Sequence, residues 1–179
     1  MYTLTWACQP VREFQKANLT MPVFLLIALE ICGCRVANLI VSFASSILVR
    51  GTAGDGLNLA FDSISAAGQC SLDLAELIET TPWCKLGFSK TGLRVAMHCG
   101  PIILGHNPII GLRKGVGVHV SRTTRLEPKT PPGFVYASEA FTAICELSSN
   151  LPFRCLYVKH LALDKLYGSF PTYLLRRLK

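Results

Sequence analysis

An α+β fold, with one sheet and helices packed on it, is predicted for this chain by three observations. From residue 57 onward, short apolar segments of strand character are interleaved with segments of helical period, in the order β-α-β-β-α-β-α-β-β. Turn residues between neighbouring strands point to hairpins, which favours a mixed sheet over a purely parallel one. Hydrophobic residues make up 50% of the 179 residues and charged residues only 16%, with mean hydropathy +0.39. That composition excludes a disordered, charge-rich chain and supplies the core of one domain.

Residues 1–49 are apolar and poorly patterned, and are read as an N-terminal segment distinct from an ordered domain over 50–179. Within it, Pro22 to Leu29 is strongly apolar, but Glu30, Gly33 and Arg35 follow. A spanning helix needs roughly 20 uncharged apolar residues, and neither half of 22–49 reaches that length. A buried helix pair is the first reading of 22–49, and a membrane-associated segment is the alternative.

Gly54-Asp55-Gly56 forms a tight turn into an alternating strand, Leu57–Phe61. Ile64 to Ile78 places Ile64, Ala67, Leu72, Ala75 and Ile78 at helical spacing, with an interruption expected near Gly68. Leu93–His98 is a second strand closed by Gly100-Pro101. Ile102–His106 and a strand near Val116–Val120 flank Asn107-Pro108 and Gly111 as a ribbon with a loop at its tip. A helix starts in Val120–Leu126, and Phe134–Ala137 is a short strand after Pro131-Pro132-Gly133. Ser138 is the expected N-cap of the next helix, since its hydroxyl can accept an orphan N–H of the first turn. Phe153–His160 and Thr172–Leu175 complete the strands.

Lys and Arg number 18 against 11 Asp and Glu, a net charge of 18 − 11 = +7. A basic balance favours anionic partners such as phosphate-bearing molecules. The basic groups lack the aromatic interleaving of a nucleic-acid platform, so no nucleic-acid partner is expected. The eight cysteines form no C-x-x-C pair, and Cys32-Gly33-Cys34 has no histidine at zinc-finger spacing. Buried reduced thiols of a cytoplasmic protein are the reading that fits.

Five segments in order then carry a likeness. Gly54-Asp55-Gly56-Leu-Asn-Leu-Ala-Phe61, Leu93-Arg-Val-Ala-Met-His-Cys-Gly-Pro101, Val120-Ser-Arg-Thr-Thr-Arg-Leu-Glu127, Pro132-Gly-Phe-Val-Tyr-Ala-Ser-Glu-Ala140 and Lys165-Leu-Tyr-Gly-Ser-Phe-Pro-Thr-Tyr-Leu174 resemble the motifs of class III nucleotidyl cyclase catalytic domains. The resemblance covers about residues 50–178. It implies a ferredoxin-like nucleotidyl cyclase fold working as a homodimer or with a cyclase-like partner chain. The implied reaction converts a nucleoside triphosphate to a cyclic nucleotide and pyrophosphate in signalling. Such phosphoryl transfer relies on positioning and charge stabilisation.

By that resemblance Asp55 is a metal-binding aspartate for Mg²⁺ or Mn²⁺, hard cations that take oxygen ligands. Arg125 is the transition-state arginine, and Ser121 stands where the family places a ribose-orienting asparagine. Gly54, Gly56, Lys114 and Lys165 are the implied nucleotide-binding residues, with Lys165 on the triphosphate and Lys114 near the base. The sequence departs from the family at its first metal aspartate: residues 1–54 contain no Asp, and their only acids are Glu13 and Glu30. The usual first strand is therefore expected to be missing, and a two-metal clamp is not available from this chain alone. A degenerate cyclase is one reading; the alternative is a catalytically inactive cyclase-homology domain that binds nucleotide or dimerises.

Overall fold

The computed structural model describes residues 3–10, 35–53, 56–86, 92–106, 111, 113–163 and 168–178. Nine strands are described: β1 (Thr3–Pro10), β2 (Ile47–Ala53), β3 (Gly56–Phe61), β4 (Leu93–Gly100), β5 (Ile103–His106), β6 (Arg113–Val116), β7 (Val135–Ser138), β8 (Phe153–Leu163) and β9 (Gly168–Arg177). The helices are α1, over 35–42, α2 (Ile64–Glu79), α3 (Val118–Leu126) and α4 (Glu139–Glu146). Seven strands form one sheet in the order β2-β3-β1-β4-β7-β9-β8, and β5 pairs with β6 as a separate ribbon. All pairings in the main sheet are antiparallel except β4 with β7.

β1 corrects one expectation. The first strand is not missing: Thr3–Pro10 runs between β3 and β4, in register from Leu4↔Phe61 to Cys8↔Leu57 on one side and from Thr3↔Gly100 to Pro10↔Leu93 on the other. The physical reason is that a strand is held by backbone pairing and β-propensity, here Thr-Leu-Thr-Trp, and neither requires the aspartate that the family carries. Strands from both sides of residue 49 therefore share one sheet.

The two faces of the sheet are covered differently. Leu93, Val95, Met97 and Cys99 of β4 point into the main core with Leu59, Phe61, Leu74, Ile78, Phe141, Phe153 and Leu175, under α1, α2 and α4. On the other face Ala96 joins a smaller cluster with Leu126 of α3, Tyr136 and Leu163. This alternation follows from the period of two along a strand.

α2 runs unbroken through Gly68, against expectation. The glycine is there for packing, since a Cβ would stand 2.2 Å from the Phe153 ring. Ser63 caps this helix by accepting from the Ala66 N–H. The ribbon also differs from the sequence reading. Its second strand is Arg113–Val116, and α3 begins at Val118, because Gly117 at φ 140° turns the chain there. Ser138 caps α4 as expected, accepting from the Phe141 N–H. Of the 22–49 segment, residues 35–42 are helical, whereas 22–34 lie outside the described residues. Among the described residues no helix is long and apolar enough to cross a membrane.

Candidate functional site

α3 carries the two candidate catalytic residues, and β4 determines where α3 sits. The inner face of α3 presents His119, Thr123 and Leu126, with Glu127 in the 3₁₀ turn that continues it. Glu127 is 2% exposed and its Oε1 lies 3.0 Å from Arg94 Nε, an ion pair off hydrogen-bond alignment. At the other end, His119 Nδ1 lies 2.8 Å from His98 Nε2, with the two rings stacked at 5.0 Å between centroids. Between the ion pair and the ring pair, the small Ala96 leaves room for Leu126.

The outer face of α3 presents Ser121 and Arg125, one turn apart and therefore on the same side of the helix. Ser121 is exposed, and its Oγ is 3.5 Å from the Gly117 carbonyl; Arg125 is half-buried in the last turn. Ser121 is not the N-cap; Gly117 occupies that position. Val118 on the same side is 60% exposed. The geometry thus brings Ser121 and Arg125 together on an open face.

Gly56 is the first residue of β3 and is buried, paired with Ala53 of β2. Gly54 and Asp55, the two residues between that pair, lie outside the described residues, as does Lys165. Lys114 lies in β6, paired with Gly105; its backbone is described and its side chain is not.

The donor set does not fit a two-metal centre built by one chain. β1 lies beside β3, and its residues, Thr-Leu-Thr-Trp-Ala-Cys-Gln-Pro, include no carboxylate. That leaves Asp55 alone from the expected pair. Among the described residues no group of three His, Cys, Asp or Glu side chains is placed to hold a metal ion.

Sequence reasoning passed over His119. His98 is 1% exposed, and its Nδ1 lies 2.7 Å from Ser138 Oγ. Burial first, then the Arg122 guanidinium and His119, bring His98 from its ordinary 6.5 down to about 4. Arg122 itself lies 3.9 Å above the centre of the Phe170 ring on β9. No linear motif links residues 98, 119 and 138; only the fold joins them.

No protein-family model and no curated protein matches the sequence. Solved structures do match its shape. The guanylate cyclase domain of RhGC from Catenaria anguillulae, in complex with GTP, superposes with TM-score 0.82 at 15% identity, over 99% of this chain and 97% of that one. The adenylyl cyclase CyaB from P. aeruginosa gives TM-score 0.81 at 12% identity, over 99% and 95%. The non-canonical dimeric guanylyl cyclase domain of the RhoGC fusion protein from Blastocladiella emersonii gives 0.80 at 14% identity, over 99% and 97%. The chain therefore has the fold of class III adenylate/guanylate cyclase catalytic domains, and it is a cyclase-like domain in architecture.

Proposed function

We propose that this domain is the cation-supplying half of a nucleotidyl cyclase-type dimer. It binds a nucleoside triphosphate across the interface with a second cyclase-fold chain, and it turns the nucleotide over only when that chain provides the missing carboxylate. The observation that carries this reading is the separation of the two halves of the chemistry. Ser121 and Arg125 share the open face of α3, whereas β1, the strand beside β3, contains no acid.

Arg125 supplies a fixed positive charge for phosphoryl oxygens, and Ser121 a hydroxyl toward the ribose. Asp55 contributes one carboxylate toward Mg²⁺ or Mn²⁺, with Lys165 and Lys114 along the triphosphate and base, and Gly54 and Gly56 letting backbone approach the phosphates. The net charge of +7 suits such a ligand. The solved cyclase domain bound to GTP and the dimeric one of the same fold support a nucleotide ligand and a paired assembly. A nucleoside triphosphate ligand is compatible with the cytoplasm expected for the domain. Pairing with a second copy yields a binding module; pairing with a chain that provides the missing carboxylate yields a cyclase.

Calorimetry with GTP and ATP analogues, beside an assay for cyclic nucleotide in Mn²⁺, tests the proposal. The isolated protein is expected to bind without turnover, and Arg125→Ala to weaken binding about tenfold, the worth of one charge-assisted contact. Cyclic product from the isolated chain would overturn the need for a partner carboxylate. Absence of binding to any triphosphate would overturn the site.

A further inference from the structure

We infer that His119 is a positioning residue: held by His98 and Ser138, it sets the rotation of α3 and so the place of Ser121 and Arg125. The inference deepens the function proposed above and rests on it for the role of those two residues.

The geometry matches two rulers. Along β4, Arg94 and His98 are four residues apart, about 13 Å at strand rise. Along α3 and its continuation, His119 and Glu127 are eight residues apart, about 12 Å at helix rise. The ion pair and the imidazole pair therefore join helix to strand at both ends at once. With Leu126 packed between them, the two contacts together fix the azimuth of α3. Backbone shape allows this close seat. Gly100 has no side chain, and a Cβ there would stand 2.1 Å from His119 Nδ1.

Hydrogen-bond accounting makes the ring pair selective for protonation state. With both rings neutral, Ser138 O–H donates to His98 Nδ1 while His98 Nε2–H donates to His119 Nδ1, or every donor reverses. One added proton on either ring still leaves one donor and one acceptor at the 2.8 Å contact. Two added protons set N–H against N–H between like charges, and the contact breaks. Among the described residues, the charged and titratable groups that face His98 are His119 and Arg122, both from α3. β7 presents the Ser138 hydroxyl, and β1 places the non-titrating Thr5 opposite in register.

The test combines hydrogen exchange with analogue binding. His119→Phe keeps a ring over Gly100 and removes the contact with His98; His119→Asn keeps a short polar group in the reach of Nδ1. In His119→Phe the amides of α3 are expected to exchange about tenfold faster than in wild type, with those of β8 and β9 unchanged. The Kd for a GTP or ATP analogue rises by a similar factor, and His119→Asn restores both. Lowering pH from 7 to 3.5, below the value near 4 at which His98 takes its proton, lowers the protection factors of the α3 amides, each referred to the intrinsic exchange rate at that pH, in wild type and not in His119→Phe. Unchanged α3 exchange, or acceleration spread over every element, would overturn the inference. If His119→Phe does not fold, Gly100→Ala carries the same test by displacing the ring. A wild type that binds no analogue sinks the proposed function, while the exchange arm still decides whether His119 tethers α3.

Discussion

At the scale of single residues, Arg94 and Glu127 show how a motif residue can serve the scaffold. Both stand in segments that resemble cyclase motifs, yet they face one another beneath α3 and away from its open side. Glu127 is 2% exposed, so its ion pair with Arg94 forms where water screens little. Glu127→Ala is expected to cost about 3–5 kcal/mol in guanidinium unfolding, while Arg94→Met with Glu127→Leu recovers most of it. A loss below 1 kcal/mol would show that the pair is solvated. The pair's two sequence positions were legible as part of a likeness; their contact was not, since 33 positions separate them and charge alone does not say which acid a half-buried arginine meets.

At the scale of elements, α2 sets two effects against each other. Gly68→Ala in an exposed helix would gain up to about 1 kcal/mol of helix propensity. Here the added methyl meets the Phe153 ring, and overpacking costs about 1–3 kcal/mol. The variant is expected to be destabilised in urea, and Phe153→Leu in the same chain to relieve it; a more stable Gly68→Ala would mean the ring moves freely. Helical period located α2 and the Ser138 cap signal located the start of α4, because both are local patterns. It could not tell whether Gly68 interrupts or packs, since that depends on a strand 85 residues on. The ribbon boundaries slipped for a related reason. Val116-Gly-Val-His-Val120 alternates like a strand, and the turn at Gly117 decides otherwise.

At the scale of the whole molecule, His98 couples stability to pH. Folding lowers its proton affinity from 6.5 to about 4, so the unfolded chain binds the proton more tightly. Its contribution is complete above pH 6.5 and is lost as pH falls through that window toward 4, on the order of 3 kcal/mol. The difference in unfolding free energy between pH 7 and 4 is expected to be larger in wild type than in His98→Gln by about that amount. Equal pH dependence in the two proteins would mean that His98 is solvated in the folded state.

The sequence by itself determined the α+β class, most element positions from residue 57 on, the basic balance and the motif likeness. These are properties of local period, composition and spacing. It also established that residues 1–54 hold no aspartate, a chemical fact independent of folding. Only the tertiary structure decided that Thr3–Pro10 nonetheless fills the sheet between β3 and β4, because strand pairing is chosen by backbone partners far along the chain. It alone joined His98, His119 and Ser138, whose contacts exist only once β4, α3 and β7 are packed together.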